Sequence, residues 1–386
     1  MAFVMRTIVT ERVPARQAGG RGDGTAGVAA GPAGATMPAM NETPSCRLDA
    51  DAALADRNTL RVAARARWLA TVRDPGALPA LLDRDEFASQ PVMVLGQGSN
   101  VLFAGDFEGL VVVPAWRATQ VLADDRERVR VRVGAGLPWD ALVDWSLAQG
   151  CAGLENLALI PGLVGAAPIQ NIGAYGTEVG DFIETVEVLD RERGGVRRLS
   201  ASECRFGYRD SVFKSDPDRW IVLAVELDLP RHRPPNLDYG GVREELAAHR
   251  VADPTPTRVA EAVRRLRRRK LPDPAAIGNA GSFFKNPVVD DAVAETLARA
   301  HAGLPVHPAG SGRSKLSAAW LIEHAGLKGY RAGAAGVSAQ HALVLVNHGG
   351  ASGAELLAVA RHVAATVESR YGVRLEPEPR IVGATF

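Results

Sequence analysis

The chain has 386 residues, a hydrophobic share of 46%, and 45 Lys and Arg against 44 Asp and Glu, for a formal net charge of +1. That length suits two or three domains, and the near neutrality gives no electrostatic case for a nucleic acid or a membrane surface as partner. No apolar run is long enough to span a bilayer, and Cys46, Cys151, Cys204 and eight histidines without ligand spacing argue against a disulfide framework or a metal site and fit a reducing, cytoplasmic setting.

Residues 1–47 stand apart. The stretches 19–24 and 29–35 are small, Gly/Ala-rich and low in complexity, and they bury too little apolar surface to offset the entropy of ordering. A disordered tail is expected, or a misassigned start with Met37 or Met40 as the first residue. Arg6, Arg12, Arg16 and Arg21 leave a transit peptide open, whereas the apolar region of a signal peptide is missing.

A buried-type strand is expected over 91–95, running into a glycine turn at 96–98, and short strands follow at 101–103 and 110–113. Residues 128–133 alternate, with Val129, Val131 and Val133 on one face of a half-buried strand. Trp139, Leu142, Val143 and Leu147 recur at helical spacing until Gly150. Strands are expected at 185–189 and 221–229. A helix over 257–269 carries Val259, Ala262, Val263 and Leu266 on its inner stripe, and Leu271-Pro272 stops it. Further helices fit 291–301, 315–324 and 352–371, the last with Leu356, Ala360, Val363 and Val367 in register. A strand fits 342–346, and two short strands close the chain around Glu376-Pro377-Glu378-Pro379-Arg380. Helices and strands do not alternate regularly, so the class is α+β rather than a single doubly wound sheet.

Six segments carry the chemistry. In Gly96-Gln97-Gly98-Ser99-Asn100 the glycines can expose amides toward an anion, with Ser99 and Asn100 as added donors; a plain tight connection is the equal alternative. The run 161–176 has almost no large side chain apart from Ile169, Gln170, Asn171 and Tyr175. Leu163, Val164 and Ile172 are its other larger members, but Gly and Ala dominate, and with polar Gln170 and Asn171 it reads as a cradle for a flat cofactor, with close packing of two backbones as the alternative. Arg205-Phe206-Gly207-Tyr208-Arg209-Asp210-Ser211 offers Arg209 as a bidentate clamp for a carboxylate, or as one half of a salt bridge with Asp210. The basic run 264–270 reads as a solvated helix face, with Arg267 and Lys270 near enough to its end to reach a small ligand's phosphate. Gly278-Asn279-Ala280-Gly281-Ser282-Phe283-Phe284-Lys285-Asn286-Pro287 puts a hydroxyl, an ammonium and an amide between glycines and a proline. Glu378, between two prolines of fixed φ, is either a rigidly placed acid or a surface residue of an edge strand.

Taken together, LGQGSNVLF (95–103), GLENLALIPGLVGAAPIQNIGAYG (153–176), CRFGYRDSVFK (204–214), KLPDP (270–274), GNAGSFFKNPVV (278–289) and LEPEPRIVG (375–383) closely resemble the UDP-N-acetylenolpyruvoylglucosamine reductases, flavoenzymes of bacterial peptidoglycan synthesis. The resemblance covers about residues 55–386. It implies a two-part FAD-binding module of the vanillyl-alcohol-oxidase type, made of 48–117 with 372–386 and of 118–271, plus an α+β substrate-binding domain over 272–371.

By that resemblance, FAD contacts Gly96, Gln97, Gly98, Ser99, Asn100, Pro161, Gly162, Gly165, Ala166, Ile169, Gln170, Asn171, Gly173 and Ala174. The nucleotide-sugar substrate contacts Tyr175, Tyr208, Tyr239, Arg267, Lys270 and Asn286. Tyr239, in LDYG, marks the longer type of the family, in which this tyrosine folds over bound substrate. NADPH is the implied co-substrate. Hydride passes from flavin N5 to the vinyl carbon of the enolpyruvyl ether, Arg209 and a protonated Glu378 stabilise the enolate-like charge, and Ser282 protonates the neighbouring carbon. A cytoplasmic monomer with no metal is implied. Two departures stand out: Leu60 follows Asn58-Thr59 where the family often has Phe, and His341 stands where some members have Gln. An oxygen-using FAD oxidase of the same fold is the other enzymatic reading, and a non-catalytic flavin or nucleotide binder the other class.

Overall fold

The computed structural model describes residues 43–386. Of the predicted tail, residues 1–42 lie outside the described residues. The predicted boundary at 47 is two residues late, because a strand already begins at Cys46 and pairs Cys46 with Val72 and Arg47 with Thr71.

A four-stranded sheet runs in the order Cys46–Ala53, Arg65–Val72, Phe107–Pro114, Val92–Val94; the first pair is antiparallel and the others parallel. Parallel strands covered on both faces read as continuous apolar runs, as in Leu110–Val113 here. Leu110 and Val112 enter one hydrophobic core, and Val111 and Val113 enter a second on the opposite face. This sheet is therefore the partition between two cores.

The first core is shared with a five-stranded antiparallel sheet in the order Val196–Ser200, Ile183–Asp190, Trp220–Pro230, Arg128–Gly134, Thr119–Asp124. Val129, Val131 and Val133 are buried as the alternation requires. On the other face Arg130 pairs with Glu184 and Arg132 with Glu187. The helix Pro256–Lys270 closes this core with Val259, Ala262, Val263 and Leu266; Thr255 caps it, and Leu271 is already extended before Pro272. Part of its basic run is paired within the chain: Arg264 with Asp140 and Asp144, and Arg265 and Arg269 with Glu245, while Arg268, Arg269 and Lys270 at its end are exposed, as a solvated face requires.

The second core is completed by residues beyond 272. Gly278–Ser282, Val344–Asn347, Ala335–Val337 and Arg331–Ala332 form a four-stranded sheet, against which Gly353–Tyr371 packs with Leu356, Ala360, Val363 and Val367. Ser352 and Glu355 form a capping box, and Gly372 ends the helix at positive φ.

Two expectations need correction. The helix over 315–324 starts only at Ala318. Lys315 and Leu316 belong to the strand Arg313–Leu316, paired with Val288–Asp290 and Val306–Pro308, and Ser317 caps the helix through its hydroxyl. The pair of closing strands is a single strand, Arg380–Val382, parallel to Val101–Phe103; before it only an isolated bridge joins Pro377 to Phe284. The prolines on either side of Glu378 have no N–H to give a ladder.

Candidate active site

A cavity of about 560 Å³ opens between the two cores. Four walls meet there: the loop 96–100, the segment 160–173, the stretch 208–222, and the strand around Ser282 with 377–380 beside it.

The first wall follows the strand Val92–Val94. Gly98 has φ +62, and a Cβ there would collide with the carbonyl of Arg57, so only glycine fits. Among the described residues, no group accepts a hydrogen bond from the amides of Gln97, Gly98, Ser99 or Asn100, which keeps donors free along the wall. The side chains of this loop face the protein instead of adding donors. Gln97 Oε1 accepts from Gly162 N at 2.9 Å, Ser99 Oγ donates to Pro161 O at 3.2 Å, and Asn100 Nδ2 donates to Gln170 Oε1 at 2.8 Å. Pro161, Gly162, Ala166, Ile169, Gln170 and Gly173 line the second wall.

Three predicted cofactor contacts belong to the fold's own packing. A Cβ on Gly165 would lie 2.5 Å from Ala135 Cβ, so its smallness serves a contact between two protein backbones. Asn171 is buried; its amide donates to Glu178 and to the carbonyl of Gly207 and accepts from Gly180 N. Ala174 lies in a two-residue strand paired with Thr177–Glu178 and packs on the first core.

On the third wall, Gly207 and Asp210 bond each other's backbones at 3.1 and 3.2 Å in a tight turn. Tyr208 and Arg209 form its corner, with Arg209 at φ +54. The guanidinium donates to Gly173 O at 2.8 Å, and its Nε lies 3.1 Å from Glu378 Oε1. Glu378, not Asp210, is thus its carboxylate partner. Lys315 Nζ stands 4.5 Å from the centre of the Tyr208 ring. Arg267 lines the cavity and bonds Leu159 O; burial pushes its pKa down.

On the fourth wall, the pairing with Val344–Asn347 slips between Asn279 and Ser282, and Gly281 takes φ +68. Such a bulge re-aims the next side chain. Ser282 lines the cavity, and its hydroxyl makes no hydrogen bond within the described residues. Glu378 N donates to Phe283 O at 2.8 Å, so the segment bearing the carboxylate is stitched to the strand bearing the hydroxyl. Asn100 Nδ2 also reaches Glu378 O at 3.3 Å. Asn286 accepts from Ala318 N through Oδ1 and lines the cavity.

Tyr175, Tyr239 and Lys270 are grouped outside this wall. The two tyrosine rings meet edge to face at 6.4 Å, and Lys270 Nζ donates to Gly240 O, beside Tyr239. Leu60 is core, and His341 accepts from Leu343 N through Nδ1 outside the cavity. Sequence reasoning missed Lys214, Trp220, Leu271 and Arg380, all of which line the cavity. Lys214 sits at the end of a quoted motif and was readable as a second cation five residues after Arg209. Arg209, Lys214, Arg267 and Arg380 face a single carboxylate, Glu378, across this space, which suits polyanionic ligands.

These features fit FAD. Free amides at 97–100 suit a pyrophosphate, and Gly96, Gly162, Ala166, Ala167 and Gly173 leave room for a flat ring system.

Comparison with known proteins agrees. Residues 67–200 match a family described as "FAD binding domain", and residues 273–382 match "UDP-N-acetylenolpyruvoylglucosamine reductase, C-terminal domain". The UDP-N-acetylenolpyruvoylglucosamine reductase of Xanthomonas euvesicatoria pv. vesicatoria is 55% identical over 339 residues, 88% of this chain and 97% of that protein. The Xylella fastidiosa (strain M12) protein of the same name is 52% identical over 351 residues, 91% of this chain and all of that one. The crystal structure of the Thermus caldophilus enzyme superposes with a TM-score of 0.60 at 27% identity, covering 87% of this chain and 98% of that one. Fold, cavity and matches together define an FAD-dependent oxidoreductase with a flavin module and an α+β domain. The chain belongs to the UDP-N-acetylenolpyruvoylglucosamine reductase family.

Proposed function

We propose that this protein reduces UDP-N-acetylglucosamine enolpyruvate to UDP-N-acetylmuramate with NADPH, as a cytoplasmic monomer in peptidoglycan precursor synthesis. One observation carries the chemical part of the reading: Ser282, Arg209 and Glu378 line one cavity, with the free hydroxyl and Glu378 on neighbouring segments of one wall and Arg209 reaching Glu378 from another.

FAD, when bound, supplies the redox chemistry by accepting and giving a hydride. The chain's residues do the rest. Gln97–Asn100 amides and the 161–173 wall hold the cofactor. Arg267 and Asn286, with Tyr208 beside them, bind the nucleotide sugar, while Tyr175, Tyr239 and Lys270 close over it when their loop moves inward. The substrate carboxylate takes over the guanidinium of Arg209, and Glu378, released from its partner, acts in its acid form as a second donor. Donors fixed in advance stabilise developing charge without reorganising. Ser282, unengaged on its strand, gives the proton that completes the product.

The test uses the purified yellow protein without oxygen. NADPH should bleach the flavin, and UDP-N-acetylglucosamine enolpyruvate should restore its colour. Turnover with simple alcohols and oxygen, and none with the enolpyruvyl ether, would assign an oxidase instead. Flavin that responds to neither would leave a binding protein.

A further inference from the structure

Arg209 occupies a conformation that a side-chain-bearing residue leaves readily. It is the third residue of the turn 207–210, with φ +54, a position where glycine or asparagine is favoured. The guanidinium direction depends on that backbone: returning φ to a negative value would swing the side chain away from Gly173 O and Glu378. The turn's own bond from Asp210 N to Gly207 O holds one end of the peptide after Arg209; its other end, the Arg209 carbonyl, needs a partner from outside the turn.

The next few residues supply the hold. Ser211 is buried, bonds Ile169 O at 2.6 Å through its hydroxyl, and caps the short helix Val212–Ser215. This helix brings Lys214 back over the turn, where Nζ donates to Arg209 O at 3.1 Å. We propose that Lys214 is a positioning residue, whose ammonium pins the left-handed backbone of Arg209 and so aims the guanidinium at the substrate carboxylate. Burial pushes the pKa of this ammonium down, in keeping with a donor withdrawn from water and spent on a protein acceptor. The inference rests on the role given to Arg209 above.

Lys214 also lines the cavity, so the competing role is direct contact with a ligand phosphate or carboxylate. A double-mutant cycle separates the two. In holoenzyme, Lys214→Met should retain flavin, bleach normally with NADPH, and be reoxidised by the enolpyruvyl substrate up to about 10²-fold more slowly, the scale of a misplaced catalytic group. Lys214→Arg should recover part of the loss. Substrate affinity, read from the shift of the oxidised flavin spectrum, should fall much less than the rate. In an Arg209→Ala background, Lys214→Met should add nothing. An additive loss, a loss mainly of affinity, or an unchanged rate in Lys214→Met would overturn the proposal. Lost flavin or equal slowing of both half-reactions would do the same, by making Lys214 merely structural. Should Lys214→Met fail to fold, Lys214→Gln takes its place under the same criteria. If Arg209→Ala alone leaves reoxidation unchanged, the assigned role of Arg209 fails and this inference with it; if only the Lys214 variant is silent, the inference fails alone.

Discussion

Arg209 and Glu378 meet at 3.1 Å, although one sits on a left-handed turn and the other between two prolines. Both are constrained before they touch, so their contact has little freedom to spread over alternatives. Glu378→Gln should keep the shape and cost on the order of 1 kcal/mol of stability, the scale of one partly exposed ion pair. Gln keeps a donor in this place, so its reoxidation by the enolpyruvyl substrate should slow less than that of Glu378→Ala, which loses the preorganised donor and should slow by about 10²-fold or more. Denaturant midpoints and stopped-flow traces of the same preparation check both. An Ala variant that reoxidises at the native rate removes Glu378 from the reaction.

Ser282 separates the half-reactions. Ser282→Ala should bind FAD and bleach with NADPH near the native rate, while reoxidation slows by about 10²–10⁴-fold. Ser282→Cys, which still carries a proton, should keep part of the activity. Because the hydroxyl bonds nothing among the described residues, Ala should cost little stability. A large loss of stability, or equal slowing of both phases, would contradict this.

Gly165 and Gly173 should fail differently. Gly165→Ala drives a methyl into Ala135 and should cost about 1–3 kcal/mol, as overpacking does, with flavin lost only as the fold weakens. At Gly173 a Cβ would lie 3.1 Å from Arg209 Nη1 and 3.0 Å from Glu178 Cγ, both movable ends, and 3.1 Å from Thr177 O. Gly173→Leu should therefore displace the guanidinium, slow the enolpyruvyl half-reaction and lower flavin occupancy. Unfolding midpoints beside flavin stoichiometry distinguish the two; normal flavin and normal reoxidation in Gly173→Leu would refute the shared wall.

Acid sensitivity should trace partly to Asp190. Its enclosed carboxylate is hydrogen-bonded by Arg219 at 2.8 Å and Arg197 at 3.2 Å, which hold its pKa well below the ordinary range. A depressed folded-state pKa means that stability is present above the unfolded value of about 4 and is lost as pH falls below it. Urea midpoints should drop between pH 5 and pH 3 (about one unit either side of that value), and less steeply in Asp190→Asn. An identical acid slope in the variant would exclude this residue.

Removing residues 1–42, which stops short of the strand at Cys46, should leave flavin content and turnover unchanged, given the Gly/Ala-rich, motif-free sequence there. A truncated protein that purifies colourless would show otherwise.

Elements with one buried face were readable. The strand 128–134 and the helices 256–270 and 353–371 obey periods of two and 3.6 because a single core sets them. Thr119–Asp124 was missed because every residue in it is exposed and no buried face imposes alternation. Lys315 and Leu316 were given to a helix because Ser314 stands before them as Ser317 stands before Ala318, and either serine is a possible cap. Within the site, chemical types were legible but directions were not. Ser99, Asn100 and Asn171 are polar groups in glycine-rich loops, and only the fold decides whether such groups face a ligand or a neighbouring wall. Lys214 escaped because its role runs through another residue's carbonyl.

Asn100 and Glu378 touch across 278 positions of sequence, and Arg380–Val382 lies alongside Val101–Phe103. A chain leaving the ribosome therefore cannot finish this cavity when its flavin module emerges. It must wait until residues 377–382 are free to return to a loop made long before. Completion of the cavity is thus timed to the end of synthesis, and a fragment halted ahead of Glu378 would carry nearly every motif named above with one side of the cavity still open.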